Sequence, residues 1–481
     1  MCTLVTVRGN PTTTPIPSLL SILINSSIDD SPINEMAIAT GALIRQGASF
    51  NFAKFVHATL NFVGVTGNHQ QSYHLENCRV AYNLYDKNDH MIISNKGFHK
   101  RVSQDTMLNF TIELTDQVLL QINKTLEKHN DKLLHPVIKA ILKKLDIDDI
   151  IAIDGCEIAL RESSRDKFPN KGVGRNKADG SSAVPSIKGH AAYSLIRHNF
   201  TSIDFTEAVE NEREHLNPEL LARRCIVGDR GYISEDLEEE LLSNHADFII
   251  KGKKNMTSGI IVEAYGDNNR KLDDFIGKNY GHIKTACNDQ ELDVTVKTKK
   301  GHLVRIVRQV NPNTKSTRKG KDDTNVNEDS YVYLRTSITR DRLTLKELFA
   351  GYRLRWGCEF LFEALQQGNC FKSINSSNMN VIFTFILMNI ISFLLKLYMT
   401  LQTSIDSKKN LCSFSILKTN TKFEVFNEFF GSFGFLKKTQ FYLVMKRTKE
   451  KILQYCCISH VSKRDIKAGK SNAVLFDSIL N

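Results

Sequence analysis

Three side chains with complementary chemistry follow one another at helical spacing in this 481-residue chain. Each residue of an α-helix turns by about 100°, so Tyr352, Arg355 and Glu359 would share one face, and Gln366 would extend that stripe. A carboxylate can hold a metal ion, and the planar guanidinium matches the oxygen geometry of a phosphate. The stripe therefore predicts part of a metal-dependent site that acts on a phosphate group.

Two aspartates upstream could complete such a site. Short apolar runs precede them, Ile150–Ile153 before Asp154 and Cys225–Val227 before Asp229. Runs of this kind indicate buried strands, so each aspartate is expected at the carboxyl end of a strand. An aspartate in that position is also a common turn residue or helix cap. From the residues alone, both interpretations stay open for each of them.

Phosphoryl chemistry with two metal ions would give these carboxylates a role. Such sites hold ions roughly 3.5–4 Å apart, one activating the nucleophile and the other stabilising the leaving oxygen. Magnesium suits them because it takes one or two carboxylates, several waters and substrate phosphates. We therefore expect Asp154, Asp229 and Glu359 to hold two Mg²⁺ ions, for which Mn²⁺ could substitute.

The three motifs Asp154-Gly, Asp229-Arg-Gly-Tyr and Tyr352-x2-Arg355-x3-Glu359 resemble those of bacterial insertion-sequence transposases of the DDE type. More narrowly, they are similar to the insertion-sequence-four group, which carries a Y-x2-R-x3-E-x6-K signature. The resemblance implies an α/β fold with a ribonuclease-H-like catalytic core, a mixed sheet flanked by helices. It also implies cut-and-paste transposition, in which phosphodiester hydrolysis at the element ends is followed by strand transfer.

The resemblance also implies roles and partners. The three carboxylates would be catalytic and metal-binding, and the expected DNA-binding residues are Tyr352, Arg355, Gln366, Arg230 and Trp356. The indole, the only one in the chain, would stack on a displaced base or, equally, pack within its helix. The partners would be the terminal inverted repeats of a mobile element and its target DNA, with two copies of the chain in a paired-end complex.

Two positions near the signature leave alternatives open. Gln366 stands where the signature has lysine, and a neutral amide would weaken a phosphate contact. A catalytically impaired relic that only binds DNA is therefore the second interpretation. Glu363 lies one helical turn after Glu359 and is the rival ligand, although the signature favours Glu359.

The spacing of the motifs predicts an insertion. The interval between Asp229 and Glu359 is too long for one crossover in a small α/β core. Leu292–Val296, Leu303–Val310 and Tyr331–Thr336 show the alternation or β-branched content of strands. The expected regions are a helical N-terminal region (1–145), a first core part (146–250), a β-rich insertion (251–336) with a mobile loop (311–330), a second core part with the catalytic helix (337–402) and a basic C-terminal region (403–481).

Four segments with spaced apolar residues predict the helices of the N-terminal region: Ile33–Ile44, Phe50–Phe62, Thr106–Leu126 and Pro136–Leu145. In the relatives such a region reads the terminal repeats. A helical packing domain is the alternative.

The net positive charge of the chain fits an enzyme that acts on nucleic acid, but many other proteins share it. The formal charge is +11, from 64 Lys and Arg against 53 Asp and Glu, and an excess of this size attracts a phosphate backbone. The basic segments that could touch DNA, or could be solvated surface, are Lys171 with Arg175 and Lys177, Lys315–Lys321, Lys437–Lys438, Lys446–Lys451 and Lys463–Arg464. Lys188 and His190 could equally be structural.

The cysteines and the most apolar segment indicate where in the cell the protein is expected. The ten cysteines form no C-x-x-C pair and fit reduced thiols in a cytoplasmic protein. The resemblance further implies a bacterial protein associated with the nucleoid. Val381–Leu395 is apolar but, at 15 residues and with Asn389 inside it, short of the roughly 20 residues that span a membrane. We expect a buried core helix here and no membrane partner, and a membrane-associated protein is the remaining alternative.

Overall fold

One ten-stranded sheet organises the part of the chain that the structure describes. The computed structural model describes residues 5–16, 19–24, 31–43, 50–65, 74–84, 92–133, 136–168, 184–208, 210, 212–216, 221–310, 331–355, 359, 362–363, 365, 376–409, 414–421, 423–431 and 438–457. The strands are β1 (Val5–Val7), β2 (Asp149–Ala159), β3 (Ser186–Ser194), β4 (Asn199–Glu207), β5 (Arg224–Gly228), β6 (Asp247–Lys251), β7 (Ile260–Tyr265), β8 (Leu292–Lys297), β9 (Leu303–Val310) and β10 (Tyr331–Thr336).

The sheet is mixed, as the resemblance implies. Its strand order is β1-β4-β3-β2-β5-β6-β10-β9-β8-β7. The central strands β2, β5 and β6 run parallel, and the other neighbouring pairs are antiparallel. Parallel strands need both faces covered, and the apolar residues of β5 are buried accordingly. Because the carboxyl ends of parallel strands meet at one edge of the sheet, the residues that follow β5 and β6 are neighbours there.

The helices pack on this sheet and on one another. The helices of at least six residues are Leu19–Ile24, Ser31–Ala39, Phe52–Val65, His74–Leu84, Asn95–Val102, Asp105–Leu133, Pro136–Leu145, Glu235–Ser243, Tyr280–Ala286, Leu345–Arg353, Met379–Ser407, Ile416–Thr421, Phe423–Gly431 and Lys438–Lys451. All four helices predicted ahead of Asp154 are present, with ends displaced by a few residues.

The region 251–336 contains the strands that its alternation predicts, β8, β9 and β10. They extend the core sheet directly, because β10 pairs antiparallel with β6. A buried ion pair lies inside this extension. Arg305 Nε donates to Asp293 Oδ1 at 2.6 Å, and Arg305 Nη1 donates to the carbonyl oxygen of Leu343 at 2.7 Å. The second bond ties the extension to the start of the Leu345–Arg353 helix.

The N-terminal segment, which sequence patterning leaves without a strand, forms β1 at one edge of the sheet, paired with β4. Side chains of the Asp105–Leu133 helix hold the chain that follows it. Asp116 Oδ1 accepts the backbone N–H groups of Arg8 and Gly9, each at 2.7 Å, and Glu113 accepts the N–H of Thr12 at 2.7 Å. These carboxylates satisfy backbone donors that no neighbouring strand reaches.

The apolar run Val381–Leu395 belongs to a helix of 29 residues, Met379–Ser407. The argument from shortness is therefore wrong, since the helix is long and apolar enough to cross a membrane by length and composition, with a mean hydropathy of 2.1 in its most apolar window. The prediction of a core helix rests better on burial. Of that window 94% is buried inside the protein, against the Phe52–Val65 and Asp105–Leu133 helices, as in the core helix of a soluble protein.

Several predicted basic contacts fall on the C-terminal helix Lys438–Lys451, where much of the charge is paired internally. Arg447 Nη1 lies 2.8 Å from Glu428 Oε1, and Lys449 Nζ lies 2.6 Å from Asp406 Oδ2. These pairs favour the interpretation as protein surface for this cluster. The segments 169–183, 311–330 and 458–481, which hold the remaining basic candidates, lie outside the described residues, as does Lys437.

Asp149, at the start of β2, gives a pH-dependent contribution to stability. Burial raises the pKa of this carboxyl to about 6, against the lowering effect of a hydrogen bond from Ser194. In the unfolded chain the same group titrates near 3.8. Between these two pH values the Asp149 carboxyl is protonated in the folded protein and ionised in the unfolded chain. The contribution of Asp149 to the free energy of unfolding is therefore full below about pH 4 and is lost as the pH rises through 6.

Asp149→Asn, which keeps the side-chain shape without titrating, is therefore expected to flatten the pH profile. Between about pH 4 and 6.5, the free energy of unfolding of the wild type should fall by about 2 kcal/mol more than that of the variant. Urea titrations at a series of pH values measure this difference. Parallel profiles for the two proteins would contradict the role of Asp149.

Candidate active site

Asp154 lies inside a strand and not at its end. The prediction of its position is wrong because β2 continues to Ala159, paired with β3 through Ala159 and Ser186. On its other side, however, β2 pairs with β5 only as far as Ile153 and Gly228. Asp154 is thus the first residue of β2 beyond the parallel pairing with β5. Its side chain can therefore contact residues from other segments at the carboxyl edge of the sheet.

Asp229 follows the last residue of β5 directly, as predicted. It precedes a single 3₁₀ turn, Arg230–Tyr232, but its side chain makes no capping hydrogen bond. Within the described part of the chain, its buried Oδ1 atom has no hydrogen-bond partner. Asp229 thus stands at the cap position of this turn without using its side chain as a cap, and a buried carboxylate oxygen without a donor requires another explanation.

The Leu345–Arg353 helix brings the third group of residues to this edge. A capping box starts it, since Glu347 N–H donates to Thr344 Oγ1 at 3.3 Å and Thr344 N–H donates to Glu347 Oε2 at 2.8 Å. Gly351 allows its close approach to β6, because a Cβ atom there would lie 3.2 Å from Ile249 Cδ1. Tyr352 stands in the last turn of this helix.

The helix that carries Tyr352 ends at Arg353, and Arg355 lies in the turn that follows it. The N–H groups of Leu354 and Arg355 bond to carbonyl oxygens three residues back, at 3.0 and 3.1 Å. Glu359 again has helical backbone. Residues 356–358, which join these two positions, lie outside the described residues.

Arg355 joins the predicted residues into one cluster. Its Nη1 atom donates to Asp154 Oδ2 at 2.9 Å, and its Nη2 atom donates to Glu359 Oε1. The guanidinium is buried, with 9% of the side chain exposed, whereas Asp154 is 20% and Glu359 38% exposed. Asp154 lies about 200 positions away in the chain, so this contact depends on the fold and not on helical spacing.

Tyr352 completes the cluster on its buried side. Arg355 Nε donates to its phenolic oxygen at 3.2 Å, and the guanidinium carbon lies 5.7 Å from the ring centroid. Burial raises the pKa of Tyr352 to about 12, opposed by Arg355 and reinforced by Asp229. The phenol therefore stays protonated near neutral pH, and it orients the guanidinium instead of acting as a base.

Charge is concentrated in this cluster. Burial raises the pKa of Asp154 to about 6, Arg355 and the Gly155 N–H lower it, and Glu359 and Asp229 raise it further. The pKa of Arg355 is raised by Tyr352 and by the two carboxylates that it bonds, against the effect of its burial. A strongly perturbed carboxyl that interacts with two other acids is typical of functional sites.

The remaining predicted residues have different outcomes. Arg230 is exposed in the turn after Asp229. Trp356 and Gln366 lie outside the described residues. Glu363 is half-buried in helical backbone, and Glu359, not Glu363, accepts the bond from Arg355. Asp154, Asp229, Glu359, Tyr352 and Arg355 are thus brought together, as the motif spacing predicts.

A metal ion would find suitable donors here, although the described residues do not form a closed cage. All three acids offer carboxylate oxygens, the donors that hard divalent cations prefer, and the orphaned Asp229 oxygen is available. No group of three or more His, Cys, Asp or Glu among the described residues stands close enough to hold a metal as arranged. Arg355 occupies the position between Asp154 and Glu359, and it would have to release at least one of them.

Sequence reasoning missed a basic cleft beside Asp229. It has a volume of about 450 Å³ and is lined by Arg230, Gly231, Lys253, Lys254 and Asn255. The signal was present, since the apolar run Phe248–Ile250 indicates a third buried strand and a basic segment follows it directly.

A histidine pair lies elsewhere, one member on β3 and the other in the 3₁₀ turn Glu212–His215. His190 is stacked on His215 with ring centroids 4.5 Å apart, and burial lowers its pKa to about 3. His190 Nε2 lies 2.8 Å from Thr206 Oγ1. These contacts favour a structural role for His190, which was one of its two interpretations.

Comparison with known proteins identifies a family for the part of the chain that holds these residues. A family model described as "Transposase DDE domain" matches residues 146–395. The match covers more than half of the chain and includes Asp154, Asp229, Tyr352, Arg355 and Glu359. A comparison with curated proteins gives no match.

Proposed function

The chain belongs to the transposase DDE domain family, and from that premise we propose that it catalyses cut-and-paste transposition of an insertion sequence. DDE transposases act on DNA and generally use divalent metal ions, and the family implies a ribonuclease-H-like core. The observation that carries the proposal is that Asp154 and Glu359 meet on the Arg355 guanidinium, while the Asp229 carboxylate lies close enough to raise the pKa of Asp154. The three acids come from distant segments of the chain, and the Asp229 side chain makes no capping hydrogen bond.

The proposed cofactor is Mg²⁺, as two ions, with Mn²⁺ as a substitute. When bound, these ions supply Lewis-acid activation of water and stabilisation of the leaving oxygen. Asp154, Asp229 and Glu359 would hold them, and oxygen-only donors favour this class of metal over zinc. Asp154 must be ionised to serve, so proton and metal compete for it.

The chain's other residues position DNA in this proposal. Arg355 grips a phosphate next to the scissile bond with its planar fork, and Tyr352 fixes the orientation of that fork by its hydrogen bond. Arg230 contacts the backbone from the turn after Asp229. Trp356 stacks on a displaced base, and Gln366 contributes a neutral hydrogen bond where the insertion-sequence-four signature has lysine.

The chemistry then has two stages at one site. Water hydrolyses a phosphodiester at the element end, which leaves a 3′-hydroxyl, and this hydroxyl attacks a phosphate of the target DNA. The substrates are the terminal inverted repeats and the target, and two copies of the chain act in a paired-end complex. The protein works in the bacterial cytoplasm, at the nucleoid.

A nicking assay tests the proposal. The DNA is a labelled duplex that carries the terminal repeat read from the sequence flanking the gene. Nicking that requires Mg²⁺ or Mn²⁺, stops with EDTA and disappears in Asp154→Ala and Glu359→Ala supports the function. Absence of both binding and nicking by the wild type would refute it.

The second candidate function is that of an impaired relic that binds DNA only, and the replacement of lysine by Gln366 favours it. Gln366→Lys separates the two possibilities. Binding without nicking by the wild type, with nicking restored by Gln366→Lys, would establish the relic. Equal nicking by both proteins would refute it.

Arg355 is expected to oppose metal binding in the DNA-free protein. A charge-assisted hydrogen bond contributes about 1.5 kcal/mol or more. A metal ion that binds Asp154 or Glu359 breaks one such bond from Arg355. Arg355→Gln should therefore bind Mn²⁺ about tenfold more tightly in calorimetric titrations at pH 8, while nicking falls because the phosphate contact is lost.

Arg353→Gln provides the matched control. It removes an arginine two positions away whose described contacts do not reach the carboxylates, and its Mn²⁺ affinity should equal that of the wild type. Unchanged or weaker Mn²⁺ binding by Arg355→Gln would contradict the competition between guanidinium and metal.

A further inference from the structure

The carboxyl ends of the three parallel strands place acids and bases side by side. The residue after the β2–β5 ladder is Asp154, and the residue after β5 is Asp229. The next parallel neighbour, β6, ends at Lys251 and leads through Gly252 into Lys253-Lys254-Asn255. The sheet edge thus changes from acidic to basic across one strand spacing, roughly 4.8 Å.

A cleft opens at the basic end of this edge. Arg230 and Gly231 form one wall and Lys253, Lys254 and Asn255 form the other, around a volume of about 450 Å³. Three cationic side chains and one amide line it, and no carboxylate belongs to the lining. Cationic side chains without a neighbouring acid attract a polyanion such as a phosphate backbone.

Both walls of the cleft are held by contacts to the rest of the fold. Arg213 Nε donates to the carbonyl oxygen of Gly231 at 2.8 Å. On the other side, Gly252 N–H donates to the carbonyl oxygen of Tyr333 in β10 at 2.7 Å. A Cβ atom on Gly252 would lie 2.7 Å from the Tyr333 Cβ atom, so only glycine allows this loop to lie so close to β10. The basic side chains therefore project from a fixed backbone.

We propose that this cleft binds the sugar-phosphate backbone of one DNA strand beside the scissile phosphate, with Lys253, Lys254 and Arg230 each facing a phosphate and Asn255 donating from its amide. The inference rests on the proposed function and adds Lys253, Lys254 and Asn255 to the DNA-binding residues that the motifs assign. Arg230 follows Asp229 in the chain, so a strand that leaves the carboxylates enters the cleft at once. Lysine ammonium groups bind phosphates as point charges, without reading base sequence.

The salt dependence of DNA binding tests this assignment. Each lysine–phosphate contact that is lost makes the slope of log K against log salt concentration shallower by about 0.9. Lys253→Gln/Lys254→Gln should therefore bind the terminal-repeat duplex with a slope smaller by about 2 than the wild type. The matched control is Lys271→Gln/Lys299→Gln, which removes two exposed lysines outside the cleft and should leave a slope closer to that of the wild type.

Replacing single phosphates by neutral methylphosphonates shows which positions of the DNA contact the cleft. A single methylphosphonate placed at successive positions beside the cleavage site should weaken binding by the wild type at two or three neighbouring positions. The Lys253→Gln/Lys254→Gln variant should show little further loss at those positions, because the partners of the phosphates are already gone. Arg230→Gln should behave in the same way at one of them.

The possible outcomes distinguish a failure of the cleft assignment from a failure of the proposed function. If the wild type nicks DNA but the cleft and control variants have equal slopes, or methylphosphonates weaken both proteins alike, the cleft assignment is overturned and the transposase proposal stands. If the wild type neither binds nor nicks the duplex, the function itself fails. A smaller slope confined to the cleft variant, with position-specific loss of the methylphosphonate effect, supports the assignment.

Discussion

Asp229→Asn is expected to reduce nicking of the terminal-repeat duplex by about a thousandfold or more while leaving the fold at least as stable as the wild type. A metal ligand contributes several kcal/mol to the transition state, and about 4 kcal/mol corresponds to a thousandfold in rate. The carboxylate has no comparable structural role, since it caps no helix and its buried Oδ1 lacks a hydrogen-bond partner in the described part of the chain. Asparagine keeps the shape of this side chain and removes the repulsion between the Asp229 and Asp154 carboxylates, which raises the pKa of Asp154 in the wild type.

Two measurements test this prediction together. Single-turnover nicking in Mg²⁺ gives the rate, and urea unfolding gives the stability. Asp274→Asn, which alters an exposed aspartate, should change neither quantity. Nicking by Asp229→Asn within tenfold of the wild type would remove Asp229 from the catalytic set, and a loss of stability above about 1 kcal/mol would give the carboxylate a structural role.

Arg335→Met is expected to destabilise the protein by about 3–5 kcal/mol. Arg335 in β10 donates from Nε and Nη2 to the two oxygens of Glu238, at 2.5 and 2.8 Å. The Glu238 side chain is 0% exposed, and His302 is its further partner at 3.2 Å. Removing the arginine leaves a buried carboxylate without its main counter-charge, which costs far more than an exposed ion pair contributes.

The double variant Glu238→Leu/Arg335→Met isolates that cause. It removes both charges from the interior, so it should recover most of the stability that Arg335→Met loses. Urea unfolding of the wild type, both single variants and the double variant gives the interaction energy directly. Equal destabilisation in the single and double variants would mean that lost packing, and not an uncompensated charge, dominates.

Much of the site could be predicted because short motifs carry it. Apolar runs before Asp154 and Asp229 correctly indicated β2 and β5, because strands that are buried on both faces consist mainly of apolar residues. The position of Asp154 was misjudged because β3 pairs on past residue 153. The alternation of buried Cys156 and Ile158 with exposed Glu157 was a visible sign that the strand continues.

Other features depend on tertiary contacts that residue patterns do not record. The helix that carries Tyr352 ends at Arg353 although the helical periodicity of the sequence continues past that point. The hydrogen bond from Arg355 to Asp154 joins segments with no local relation. The strand β1 has only three residues and is positioned by distant acceptors such as Asp116. Local pattern has no means of predicting contacts of this range.

The burial of the Met379–Ser407 helix has a consequence for the order of synthesis. This helix leaves the ribosome after both aspartates and after Glu359, yet the Phe52–Val65 and Asp105–Leu133 helices, made much earlier, pack against it. A polypeptide that stops before residue 379 would leave those apolar faces open to solvent. Truncated copies of the gene are therefore expected to yield aggregated or degraded protein, and not fragments that occupy DNA ends and inhibit the intact transposase.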